Sequence, residues 1–261
     1  MKIGFFDSGL GGLTVLKAVV RKLPLYDYEF YGDTAHLPYG DKTEAEIYTL
    51  TKEGVIHLFE RGCVLVIIAC NTASAETLRK LQDTFLATSH PEKKILGVII
   101  PMVETLCDAG AQNTLLLATA RTISSQKYEK EFSKSPTRLK LISVATPELV
   151  PLIERGEIAT ATAKAIAHIE KEVMQGIDSV ILGCTHYGLL KAGIEAQFGQ
   201  SFQVFSADQI IPQKIAEYLF FHPEIKDVLS QGGTRSIHLT KHTPSYDRLM
   251  GDILGGFVLS M

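Results

Sequence analysis

Val64-Leu65-Val66-Ile67-Ile68-Ala69-Cys70-Asn71-Thr72 and Ser179-Val180-Ile181-Leu182-Gly183-Cys184-Thr185-His186 follow one pattern. Each is a continuous apolar run, then a cysteine, then small polar residues able to open a helix. An apolar run of this length predicts a strand buried on both faces, as in a parallel sheet. Two equivalent thiols at two strand ends, 114 residues apart, predict a site built by halves. Such a site suits chemistry on both faces of one carbon.

Outward from these stretches the chain alternates strand and helix patterns. The first set has strands at Ile3–Phe6, Tyr28–Gly32, Val64–Ala69 and Ile95–Ile100, the last closed by Pro101. Helices are expected at Gly11–Lys22, Thr43–Arg61 and Thr72–Phe85. The second set has strands at Asn113–Ala118, Lys140–Val144, Ser179–Leu182 and Phe202–Phe205. Its helices are expected at Ser124–Phe132, Ile158–Gln175, Leu189–Phe198 and Ala207–Phe221. The order predicts an α/β fold with mainly parallel sheets. Asp7 and Thr119 each follow the first strand of a set, and Asp33 and Ala145 the second, both pairs 112 residues apart. Two similar α/β lobes are therefore expected, residues 1–97 with 210–261 and residues 98–209.

Composition narrows the class. With 261 residues, 46% of them hydrophobic, the chain can bury a sizeable core. A net charge of −3 gives no basic footprint for nucleic acid. No stretch approaches the ~18 apolar residues of a membrane span, and the N-terminal apolar run is too short for a signal peptide. Four cysteines without a secretion signal predict a reduced, cytoplasmic setting. Cys63 and Cys107 read as small core residues.

Ligands of open α/β sheets bind beyond the carboxyl ends of the strands. Asp7-Ser8-Gly9, the loop Asp33 to Gly40, Cys70-Asn71-Thr72, Thr119 to Thr122 and Cys184-Thr185-His186 all fall there. Asp7 opens a tight glycine turn, which also reads as an ordinary helix cap by Ser8. An acid directly after an apolar strand is costly unless it is paired or functional. The turn is not a dinucleotide fingerprint, because Thr14 stands where the third glycine belongs. A helix start or a nearby cation raises the thiolate fraction of Cys70 and Cys184, and His186 is placed to exchange a proton with Cys184. Cys184-x-His186 lacks a CxxC or HExxH partner, so no metal is expected. No lysine has a pyridoxal-phosphate context, and no cofactor is expected.

These residues resemble the glutamate racemases of the cofactor-independent aspartate/glutamate racemase superfamily. The match runs through Phe6-Asp7-Ser8-Gly9-Leu10-Gly11-Gly12, Gly32-Asp33-Thr34, Leu37-Pro38-Tyr39-Gly40, Ala69-Cys70-Asn71-Thr72-Ala73-Ser74, Val150-Pro151-Leu152-Ile153-Glu154 and Gly183-Cys184-Thr185-His186-Tyr187, in the family's order. The resemblance implies lobes related by a pseudo-twofold axis, with the site between them. It implies Cys70 and Cys184 as the two bases, Cys70 for D-glutamate and Cys184 for L-glutamate. Asp7 would assist Cys70, and His186 would assist Cys184. Asp7, Ser8, Pro38, Tyr39, Gly40, Asn71, Thr72, Thr119, Thr122, Thr185 and His186 would hold glutamate, and Glu154 resembles an accessory acid near the second thiol. The implied role is supply of D-glutamate for peptidoglycan, and a homodimer is among the assemblies open to the chain. Arg121, Thr146 and Gly188 depart from the family's usual Gly, Cys and Pro. Other readings stay open: a racemase of aspartate or another amino acid, a cysteine hydrolase using Cys184 and His186, and a non-catalytic amino-acid binder.

Overall fold

The computed structural model describes residues 1–136 and 139–255. Among the described residues nine strands form two sheets. They are β1 (Lys2–Asp7), β2 (Tyr28–Gly32), β3 (Cys63–Ile68), β4 (Lys94–Gly97), β5 (Asn113–Ala118), β6 (Lys140–Ala145), β7 (Ser179–Gly183), β8 (Gln203–Ser206) and β9 (Arg235–Leu239). The first sheet has the order β4-β3-β1-β2-β9 and the second β6-β5-β7-β8. Every pairing is parallel.

Both sheets place the first strand of their set in the interior and reverse direction beside it. From β1 the chain goes to β2 on one side, then crosses to β3 on the other. From β5 it goes to β6, then crosses to β7. Each reversal opens a crevice at the carboxyl ends of the strands. Asp7 and Cys70 flank the first crevice, and Thr119 and Cys184 the second.

The apolar runs are dense because both faces of each sheet are covered. Phe5 packs with Leu13, Leu16, Ile211 and Ile215, whereas its neighbour Phe6 points to the other face and packs with Ile47, Val55 and Leu58. Leu115 and Leu117 face Ile153, Ala161 and Ile169, while Leu116 between them faces Met102 and Tyr128. The helix Ala207–Phe221 is shared: Ile211 and Ile215 join the first sheet's core and Ile210 the second's. The last strand, β9, pairs with β2.

Three expectations need correction. The strand expected at Ile95–Ile100 stops at Gly97, and Ile99–Asp108 is a helix. A Cβ at Gly97 would run into Ser74 Oγ, so the strand ends where the helix Asn71–Lys80 crosses closely. Pro101 then sits in the first helical turn, where its missing N–H costs nothing. The helix expected at Ser124–Phe132 is two short ones, Ala120–Ser124 and Lys127–Phe132, broken at Gln126 with φ of 54°. The helix expected at Leu189–Phe198 begins only at Lys191, after a tighter 3-10 segment from Thr185 to Leu190. Cys63 is buried, whereas Cys107 is only half-buried. Among the described residues no helix is long and apolar enough to cross a membrane.

Candidate active site

The turn after β1 is built around Asp7, which is fully buried. Its Oδ2 accepts hydrogen bonds from the backbone N–H of Gly9 (3.2 Å) and Gly12 (3.1 Å). A Cβ on Gly12 would lie 2.6 Å from that of Asp7, so only glycine lets the chain turn back this tightly. From the other half, the Thr185 hydroxyl donates to Asp7 Oδ1 at 3.2 Å. Burial pushes the carboxyl up to about 6, against the charge of His186 and these hydrogen bonds. Asp7 therefore changes protonation close to neutral pH, as proton-handling groups do.

Cys70 ends the β3 segment and caps the helix Asn71–Lys80. Its Sγ accepts from the Ala73 N–H at 3.5 Å and lies 3.3 Å from Ser8 Oγ. Burial, and then the charge of Asp7, push the thiol up to about 12. At rest Cys70 holds its proton. Its direct polar neighbour is Ser8; Asp7 bears on it through charge.

Cys184 follows β7 in extended conformation and is half-buried. Its Sγ is 3.7 Å from His186 Nδ1, and His186 Nε2 is 2.5 Å from Glu154 Oε1. Burial disfavours a charged imidazole here, but the bonds to Cys184 and Glu154 outweigh it and hold the His186 pKa well above its ordinary value. The second thiol thus has a carboxylate–imidazolium pair behind it. Gly11 explains how the halves come so close: a Cβ there would lie 2.5 Å from Thr185 Oγ1 and 2.6 Å from the His186 N.

Both thiols line one cleft with an empty volume of about 620 Å³. Ser8, Pro38, Tyr39, Gly40, Asn71, Thr72, Thr119, Thr185 and His186 line it too. Thr72 reaches across the seam to Thr119 (2.9 Å) and Thr122 (3.1 Å), which are 3.0 Å from each other. These hydroxyls and the Asn71 amide offer donors to a small anion. Tyr39 is held by donating to Asp33 Oδ2 at 2.7 Å, and Asp33 also accepts from Thr240 at 2.9 Å.

Two expected ligands stand one layer back. Asp7 does not line the cleft, because it is enclosed by its own turn and Thr185. Thr122 stands behind Thr72 and Thr119. Glu154 is likewise set back from the cleft, reaching Cys184 only by way of His186. Sequence reading missed Asp41, Pro147 and Val150 on the cleft wall, and placed Leu37 and Ala120 there only as parts of their loops. It also missed Tyr128 behind the wall, whose hydroxyl donates to Asn71 Oδ1 at 2.8 Å. Pro147 and Val150 follow β6, a sixth strand end whose position was the available signal.

The unusual residues find partners. Arg121 lies outside the cleft lining. Its guanidinium pairs with Glu76, Nη2 donating to Oε2 at 3.1 Å with Nε 2.7 Å from Oε1 as an ion-pair contact, tying the Cys70 helix to the second half. The Thr146 hydroxyl is 2.8 Å from that of Tyr187. Among the described residues no group of three His, Cys, Asp or Glu side chains is arranged to hold a metal ion.

The family model for Asp/Glu/Hydantoin racemase matches residues 14–210. The glutamate racemase of Roseobacter denitrificans is 36% identical over 239 residues, 87% of this chain and 88% of that protein. The one from Jannaschia sp. is 38% identical over 239 residues, 86% of this chain and 87% of its own. In three dimensions the chain is similar to a glutamate racemase isoform of Bacillus anthracis, with a TM-score of 0.87 at 29% identity, covering 99% of this chain and 95% of that one. With two thiols facing one cleft from two parallel sheets, and a family match over most of its length, the chain belongs to the Asp/Glu/Hydantoin racemase family.

Proposed function

We propose that the protein interconverts L- and D-glutamate, with Cys70 and Cys184 as the two bases and no cofactor. The observation that carries this reading is the pair of thiols, one from each sheet, on one cleft with separate proton partners. Inversion needs a proton removed from one face of the α-carbon and another delivered to the opposite face. Starting from L-glutamate, the Cys184 thiolate takes the α-proton and the Cys70 thiol gives its own to the other face. The C–H pair is left on carbon and spent on the new C–H bond. Cys184 ends as thiol and Cys70 as thiolate, ready for the reverse direction.

The α-proton is weakly acidic, and fixed donors must stabilise the charge that develops when it leaves. Asn71, Thr72, Thr119 and Thr185 supply them. The curated relatives named glutamate racemase support glutamate over aspartate. Supply of D-glutamate for peptidoglycan in the cytoplasm is the role in keeping with that activity, and the lobes 1–97 with 210–261 and 98–209 are the units that meet at the cleft.

The test is L-glutamate with purified protein in D2O, thiols reduced and no cofactor added. The expected product is D-glutamate carrying α-deuterium, seen by chiral chromatography and α-proton NMR. Absence of exchange from glutamate, or exchange from aspartate alone, overturns the assignment.

A further inference from the structure

The Asn71 amide has one end spoken for and one end free. Asn71 is the first residue of the helix that Cys70 caps and is 3% exposed. Its Oδ1 accepts from the hydroxyl of Tyr128, which lies in the helix Lys127–Phe132 of the other half and is 0% exposed. Its Nδ2 is buried with no hydrogen-bond partner in the protein. A buried donor without a partner is costly and calls for an explanation. Asn71 lines the cleft beside Cys70, so a bound anion is the partner that supplies one.

An Asn side chain can turn about its last bond and present either oxygen or nitrogen to the cleft. Tyr128 decides between them. Its hydroxyl is buried, and burial, together with the charge of Cys184, raises its pKa well above the ordinary value, so it stays protonated and is a donor. Among the described residues the Asn71 oxygen is its one hydrogen-bond partner. Were the amide reversed, the nitrogen would meet the hydroxyl and the tyrosine proton would lose its acceptor. The amide oxygen would then face the cleft and repel a carboxylate.

We propose that Tyr128 is a positioning residue for the racemase. By accepting no alternative to its bond with Asn71 Oδ1, it locks Asn71 Nδ2 toward the cleft to bind a carboxylate of the substrate. The inference rests on the glutamate racemase reading above. Because the two residues come from different halves, the donor is set only when the halves are docked.

The experiment compares wild type, Tyr128→Phe, Asn71→Ala and the double variant for KM and kcat with L- and D-glutamate, with thermal unfolding of each. Phenylalanine keeps the ring packing and removes only the hydroxyl. Tyr128→Phe is expected to raise KM ~10-fold for both enantiomers and to lower kcat much less, the scale of one charge-assisted hydrogen bond. Added to Asn71→Ala, the same substitution is expected to change KM no further, since the amide it orients is gone. An unchanged KM in Tyr128→Phe overturns the proposal. So does a full ~10-fold effect that persists in the Asn71→Ala background, because that describes a general packing role. If Tyr128→Phe does not fold, Asn71→Asp tests the same orientation. It keeps the acceptor for Tyr128 and loses the donor, so an unchanged KM in that variant overturns the proposal as well. Wild type that does not turn over glutamate overturns the functional reading first, which separates the two failures.

Discussion

Cys70 and Cys184 occupy equivalent places in two similar sheets, yet their surroundings differ. Cys70 is bonded to Ser8 and to a helix N–H, and its burial, with the charge of Asp7 second, keeps its proton on. Cys184 is half-buried and backed by His186 and Glu154, a pair that carries a proton. The first limb keeps its proton on sulfur, and the second sets a protonated imidazole beside its sulfur. Repetition of the fold supplies opposed positions, and the local residues supply unequal chemistry. Inversion requires the two thiols in opposite protonation states, and each turnover exchanges those states.

Removing either thiol breaks the comparison outright. Cys70→Ser and Cys184→Ser are each expected to lower racemisation by ~10³-fold or more, within the range for loss of a general acid or base. Cys70→Ser should still wash the α-proton out of L-glutamate without inversion, and Cys184→Ser should do so with D-glutamate. Deuterium NMR of recovered substrate checks this, and the reverse pattern would exchange the two assignments.

Asp7 is the buried carboxyl nearest the first thiol's turn, and its burial has a cost that depends on pH. Its proton is held up to about 6 in the folded chain, against an ordinary 3.8. Between those values the folded state binds more protons than the unfolded one. Asp7's contribution is therefore fully present below the unfolded value and is lost as pH rises through the folded one, leaving a penalty of at most ~3 kcal/mol at neutral pH. Asp7→Asn should gain stability relative to wild type between pH 4.5 and pH 7.5, measured by urea unfolding, while losing activity. A difference that does not change with pH would mean the charge is already compensated in place.

The smallest effect is the sharpest test of asymmetry. Because L- and D-glutamate have equal free energies, kcat/KM must fall equally in both directions for any variant. The difference between the limbs then appears in isotope effects. His186→Asn, at ~10²-fold loss, should enlarge the α-deuterium effect with L-glutamate. Ser8→Ala, at ~10-fold loss, should enlarge it with D-glutamate. Equal isotope effects from both enantiomers in both variants would mean that these partners serve the two thiols jointly.

The sequence made both thiols legible because a strand buried on both faces leaves an unbroken apolar run, and a polar residue at its end is conspicuous. The same signal misled at Ile95–Ile100, where an apolar run fits a buried strand or a buried helix alike and the close passage of Ser74 at Gly97 decides. Asp7 and Thr122 were legible as site residues, but not their depth, since strand position fixes which end of the sheet a residue reaches and not what stands in front of it. Tyr128 reads as one aromatic on an amphipathic helix. Only the docking of the halves sets its hydroxyl against Asn71.

The partnership of β9 with β2 bears on the order in which the enzyme is made. Tyr39 leans on Asp33, Asp33 on Thr240, and the Thr34 hydroxyl on the Lys241 carbonyl. The loop that roofs the cleft near the first thiol is thus anchored by residues synthesised more than 200 positions later. A nascent chain on the ribosome carries both cysteines long before it can hold that loop in place. The anchor of that loop is therefore among the last parts of the chain to be made.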